Sequence, residues 1–226
     1  MFSAKTLEFL FENRLHDSRE WHAEHKSDFQ ALVYEPLREL VIALTPTMLE
    51  IDGELCVEPR TDRTICRVRR DTRYSHDKSL YRDNMWIIFK RGRMHGTEVP
   101  GLYFEISQEG FNYGCGFYDA STSFMNTYRR LILEGDKTFL KAKKALDSQQ
   151  VFQLVGDCYK RPHFPDQPEQ LQTWLDRRGL SFIADSHDFD LLFSDRLPGK
   201  LKEDFGLLKP LYDFLLYTSQ KNLSEG

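Results

Sequence analysis

Four short segments between Thr64 and Phe117 constrain this chain more than any other feature. They run from about Thr64 to Arg70, Asn84 to Lys90, Leu102 to Gln108 and Phe111 to Phe117, each of strand length. No helical segment separates them. Parallel neighbours would need a crossover of roughly a dozen residues or more, so this spacing predicts an antiparallel meander. Gln108-Glu109-Gly110 reads as a tight hairpin connection between the last two strands. Gly114 and Gly116 leave one face of the fourth strand bare, which permits close approach of a ligand or of another backbone.

Helical patterns lie on either side. Ser3 is placed to cap a short helix carrying Leu7, Leu10 and Phe11, ending near Asn13. Asp17, with Glu20 three residues on, spells a second start with a capping box. Trp21, Phe29, Leu32, Leu37, Leu40, Val41 and Leu44 trace an apolar stripe that Pro36 kinks or divides. Residues 45 to 60, with Thr45-Pro46-Thr47 and several acids, read as a connection with room for one more helical turn. Ser121 or Ser123 can cap a helix through Leu133, and Asp136 another through Leu146. A further helix runs near Pro168 to Arg177, and Leu180 to Ala184 is a short strand. The tail from Leu197 is a helical stripe divided at Pro210. The expected fold is α+β, an antiparallel sheet of four to five strands flanked by N- and C-terminal helices. With no internal repeat and no Gly/Ser-rich linker, residues 1 to 226 read as a single domain.

The 226 residues, 40% hydrophobic, suffice for a large core without disulfides or metals. Cys56, Cys66, Cys115 and Cys158 show no C-x-x-C spacing, and no signal-peptide pattern or membrane-length apolar run is present. The expectation is a soluble cytoplasmic protein with reduced thiols. Seven histidines include only His22 and His25 at close helical spacing, with no metal-ligand motif around them. No cofactor fingerprint occurs, so neither metal nor cofactor is expected.

Charge is distributed unevenly. Residues 60 to 93 hold eleven Lys/Arg and four Asp, a local +7 in a chain whose net charge is −4. A cationic centre in an acidic body points to a bounded anion site more than to a general polyelectrolyte surface. Within it, Arg67, Arg70 and Arg73 fall within seven residues, and the loop adds Asp71, Ser75, Asp77, Lys78 and Tyr81. Crowded cations repel and lose solvation, and a bound carboxylate or phosphate relieves both costs, because guanidinium offers a fork matched to oxyanions. Alternation puts Arg67 and Arg70 on opposite faces unless the strand ends or bulges between them.

The run Arg67-Val68-Arg69-Arg70-Asp71-Thr72-Arg73-Tyr74-Ser75, followed by Asp77-Lys78-Ser79 and Tyr81, resembles the signature of the domain-of-unknown-function 2461 family of bacteria and fungi. Arg19-Glu20-Trp21 with Lys26 and Phe29, the hairpin from Tyr103 to Gly116, and Lys160-Arg161-Pro162 with Ser181-Phe182 are similar to its other marks. Arg69, His22, His25, His76 and Leu80 stand where the family pattern has an aromatic, Phe, Asn, Lys and Pro. The resemblance implies an α+β domain inside the cell and supplies no catalytic residues.

The leading expectation is a pocket for a small phosphorylated or carboxylated ligand, lined by Arg67, Arg70, Asp71, Arg73, Ser75, Asp77, Lys78 and Tyr81. No nucleophile and base can be paired by spacing, so no reaction follows from the residues. Two alternatives stand beside it. One is a nucleic-acid-binding module that uses the basic strand and the Arg91 to His95 turn, against which the acidic remainder counts. The other is a protein-interaction scaffold in which the aspartates close the arginines into a structural ion-pair network.

Overall fold

A computed structural model describes residues 1–73 and 75–225. Helices α1 (Ala4–His16), α2 (Arg19–Glu24) and α3 (Lys26–Phe29) lead through a π-helical turn, Gln30–Tyr34, into α4 (Glu35–Ile51). Strands β1 (Met85–Lys90), β2 (Gly101–Ser107) and β3 (Gly110–Gly116) follow. Then come α5 (Thr122–Leu133), α6 (Lys137–Asp147), β4 (Gln153–Val155), α7 (Glu169–Leu175), β5 (Ser181–Ser186), α8 (Phe189–Leu192), α9 (Leu197–Leu207) and α10 (Lys209–Glu225). The strands make an open antiparallel five-stranded sheet in the order β1-β2-β3-β5-β4, an α+β fold. No helix among the described residues is long and apolar enough to cross a membrane.

Two glycines set the β3–β5 pairing. A Cβ on Gly114 would overlap the carbonyl oxygen of Phe182, and one on Gly110, whose φ is +135°, would overlap that of Ser186. At these glycines β3 therefore lies closer to the β5 backbone than a side chain would allow. On the far side of β5, β4 pairs antiparallel with Leu154 opposite Phe182.

The chain divides into two compact units. The first comprises Met1–Phe89, Tyr103–Tyr113 and Asp185–Glu203. Its core includes Leu10, Val33, Leu37, Leu44 and Met48 from the helices with Ile87 and Phe104 from the strands, all fully buried. Phe2 stacks on Phe104 at 5.9 Å. The second unit comprises Lys90–Leu102, Gly114–Ala184 and the chain from Asp204 onward. Here α10 packs on α5 and α6, and the Phe214 ring lies 5.5 Å from both Tyr128 and Phe139.

One sequence expectation is extended and two are corrected. Residues 45 to 51 are helical, with Pro46 inside α4, because Leu44, Met48 and Ile51 continue its buried face and burial outweighs one lost backbone bond. Asp17 does not cap α2; Ser18 does, accepting from the Trp21 amide at 3.3 Å. Thr64 to Arg70 is not a strand. Among the described residues it makes only isolated bridges: Ile65 to Thr61 and to Ile87 on β1, and Arg69 to Tyr81.

Candidate functional site

Residues 63 to 84 are closed into a loop by their own backbone. Cys66 N donates to Trp86 O, after which the chain leaves β1; Arg82 N then donates to Val68 O and Arg70 N to Leu80 O, at 2.9 and 2.8 Å. Among the described residues, 71–73 and 75–79 lie within the span that these bonds close. Its far side is tied to α1. Asp17 ends that helix in the left-handed region, φ 46°, and turns its carboxylate so that Oδ1 accepts from Leu80 N at 2.7 Å and Tyr81 N at 3.2 Å. Arg14, one helical turn earlier, donates from Nη1 to the Tyr81 carbonyl at 3.1 Å.

Asp77 is the centre of the cluster. Its Oδ2 accepts from Arg14 Nη2 at 2.7 Å and from Arg70 Nη1, and its Oδ1 accepts from the Ser79 amide at 3.0 Å and from the Ser79 hydroxyl. Arg70 Nη2 also donates to Ser75 Oγ at 3.2 Å. The side chains of Arg14 and Arg70 are 26% and 22% exposed. Bonds from the Ser79 side chain and backbone, then from Arg14 and Arg70, hold the Asp77 carboxyl far below the usual carboxylate range. Two guanidinium groups thus share one carboxylate, and the cluster carries one net positive charge.

The other expected site residues are placed differently. Arg67 closes on Asp62 and is 67% exposed. Arg73 is 75% exposed and folds back on Asp71, two residues away, lowering that carboxyl to about 2. Lys78 Nζ donates to the Thr72 carbonyl at 2.9 Å, inside the loop. Arg70, Ser75 and Asp77 are therefore brought together, with Tyr81 joined to them through its backbone. Arg67, Arg70 and Arg73 share no acceptor among the described residues.

Behind Tyr81 is an aromatic wall. Its ring stacks on His22 with centroids 4.7 Å apart, and His22 Nδ1 lies 2.9 Å from Asn13 Oδ1. Burial, then the nearby Lys26 charge, pushes the His22 pKa down. Trp21 is held between His16 and His25, at 4.8 and 4.0 Å. These histidines form no group that could hold a metal ion among the described residues.

Arg14, Asp17 and Asn13 were missed by reading the sequence. Arg14 and Asp77 are 63 residues apart, and no local pattern signals their pairing. The one available hint was Asp17-Ser18, where two residues compete for one capping role and only one is needed.

Fold and site together define an α+β protein with an open antiparallel sheet and an arginine-rich loop pinned to its first helix. The chain belongs to the DUF2461 family, described as a conserved hypothetical protein, whose model matches residues 5–214. Comparison with curated proteins and with solved structures gave no match.

Proposed function

We propose that the Arg14–Arg70–Asp77 cluster binds a small phosphorylated or carboxylated ligand, with Asp77 as the internal counter-ion that the incoming oxyanion displaces. The observation that carries this reading is the two-to-one pairing: two half-buried guanidinium groups from distant segments share one carboxylate. A second anion would complete the charge. Ser75 and Ser79 add hydroxyl donors, and Arg67, Arg73 and Lys78 on the same segment supply attraction at longer range. No reaction is assigned.

The test is thermal unfolding with inorganic phosphate, with and without Arg70→Gln and Arg14→Gln. Saturation at about 100 times Kd adds roughly 2.7 kcal/mol of stability, a shift of several degrees. The parent should show it and both variants should lose it. A parent melting temperature indifferent to phosphate and carboxylates overturns the reading.

A second reading is supported by the fact that Arg67, Arg70 and Arg73 each end on an aspartate of the chain itself. In that reading the network is structural, within a protein-interaction scaffold. Asp77→Asn separates the two. Removing the internal competitor tightens phosphate binding if Asp77 is a placeholder, whereas a structural network loses stability and gains no response to anions.

A further inference from the structure

The second unit holds an open cleft of about 570 Å³, lined from α6, β4, α7 and the residues just past α7, a size usual for small-ligand sites. Its apolar wall is Leu146, Leu154 and Trp174. Trp174 is 3% exposed and is fixed from behind, edge-on to Phe139 at 5.3 Å and against Phe182 at 5.7 Å. No residue of the Asp77 cluster lines this cleft.

Lys143, Asp147, Glu169 and Arg177 bring charge to the cleft, and the first two cancel: Lys143 Nζ lies 2.6 Å from Asp147 Oδ2. Arg177 and Glu169 remain. Arg177 donates from Nε to the Thr173 carbonyl at 3.1 Å, from Nη1 to that of Gly156 at 2.6 Å and from Nη2 to that of Leu154 at 3.0 Å. These bonds hold the guanidinium in place between α7 and the β4 segment, yet they leave one N–H over on each Nη. No carboxylate lies within ion-pair distance of Arg177 among the described residues. Glu169 is exposed, and its carboxylate has neither a cation nor a hydrogen-bond donor among the described residues. One fixed cation and one open carboxylate therefore share a cleft without pairing with each other.

We propose that this cleft binds a small ω-amino carboxylate, its carboxylate on Arg177, its ammonium on Glu169 and its methylene stem along Leu146, Leu154 and Trp174. The assignment follows from what each simpler ligand leaves behind. An apolar molecule over the wall strips water from a cation and an anion and returns no contact to either. A monoanion satisfies Arg177 and desolvates Glu169, and a monocation does the reverse. A ligand that carries both charges meets both. The helix sets how far apart they must be. Glu169 is the first residue of α7 and Arg177 lies two past its last, so about 9 Å of helix stands between their backbones. Charges on neighbouring carbons, as at the α-carbon of an amino acid, do not span that separation, whereas several methylenes between them do. The site shares no residue with the Asp77 cluster and does not rest on the reading above.

The experiment is titration calorimetry of the full chain with ε-aminocaproate and, in parallel, with caproate and hexylamine, which each carry one of its two charges. The parent should bind ε-aminocaproate and should bind each single-charge analogue about tenfold more weakly, the factor for one lost charge-assisted contact. Glu169→Gln alters an exposed carboxylate without a partner, so the melting temperature should not move. It should weaken ε-aminocaproate about tenfold and leave caproate no weaker. Arg177→Gln should weaken ε-aminocaproate and spare hexylamine, but it also unties three backbone carbonyls. Thr173→Trp is therefore made beside it, a ring at an exposed lining position that blocks the cleft and leaves Arg177 in place. A parent that does not bind ε-aminocaproate overturns the site. Caproate or hexylamine binding as tightly as ε-aminocaproate overturns the assignment of a doubly charged ligand. Undiminished binding of ε-aminocaproate by Glu169→Gln or by Thr173→Trp overturns its placement in this cleft.

Discussion

Asp17→Ala should loosen the arginine loop from α1, and its cost can be worked from the geometry. The wild-type carboxylate accepts from the Leu80 and Tyr81 amides at 2.7 and 3.2 Å. Bonds to a charged acceptor contribute about 1.5–3 kcal/mol when fully buried. These are part-buried and water can re-enter, so about 1 kcal/mol each is the working figure. Alanine in the left-handed conformation adds roughly 1 kcal/mol, because the native φ is 46°. Two companion variants separate the terms. Asn keeps an acceptor oxygen and tolerates the conformation, so Asp17→Asn should stay near the parent, whereas Asp17→Gly loses the bonds but not the backbone compatibility. Native-state hydrogen exchange is the assay. About 2 kcal/mol of lost local stability lowers the protection of the Leu80 and Tyr81 amides about thirtyfold in Asp17→Gly, and further in Asp17→Ala. Protection unchanged at both amides in Asp17→Ala would refute the tie between α1 and the loop.

Three further outcomes are expected. The Asp71 carboxyl, paired with Arg73, should titrate near 2 by carbon NMR; any stability it contributes is present above its unfolded pKa of about 3.9 and is lost as pH falls through its folded value, and a midpoint near 3.9 would mean the pair does not persist. Gly114→Ala should destabilise by about 3 kcal/mol in urea unfolding, because the new Cβ meets the Phe182 carbonyl and not a movable side chain, and a change under 1 kcal/mol would contradict the β3–β5 pairing. Tyr128→Phe should leave stability unchanged or raise it by about 1 kcal/mol, since that hydroxyl is enclosed without a partner among the described residues, and a loss above 2 kcal/mol would mean that it is bonded.

Much of the fold was legible where the signal is local. Ser121, one of two serines placed to start α5, and Asp136, placed to start α6, accept from the Phe124 and Thr138 amides. Pro36 and Pro210 each stand in the first turn of a helix, where a missing N–H costs little. The failures share one cause. The Thr45-Pro46-Thr47 run signals a connection with one more turn at most because the proline is local, while the burial that carries α4 to Ile51 is not. The segment from Thr64 to Arg70 alternates as a strand should, yet it lies between β1 and the returning residues 80 to 82, and neither contact runs long enough to become a ladder. For the site, the crowding of cations could be counted along the chain, whereas the partner of each guanidinium is fixed only by folding.

That distinction bears on where recognition falls within the basic segment. Arg67 with Asp62 and Arg73 with Asp71 are exposed pairs closed by neighbours five and two residues away. Such pairs contribute about 0–1 kcal/mol and open readily in salt, so they neither need the fold nor constrain it. Arg70 is different, because its carboxylate is shared with an arginine brought from α1, and the same helix end fixes the returning backbone through Asp17. Tertiary structure is spent on holding Arg70, Asp77 and Tyr81 in register and not on Arg67 or Arg73. Selective ligand binding requires groups fixed before the ligand arrives. The fixed groups are therefore the ones whose substitution should change which anion is bound, while neutralising Arg67 or Arg73 should change only the dependence of binding on ionic strength.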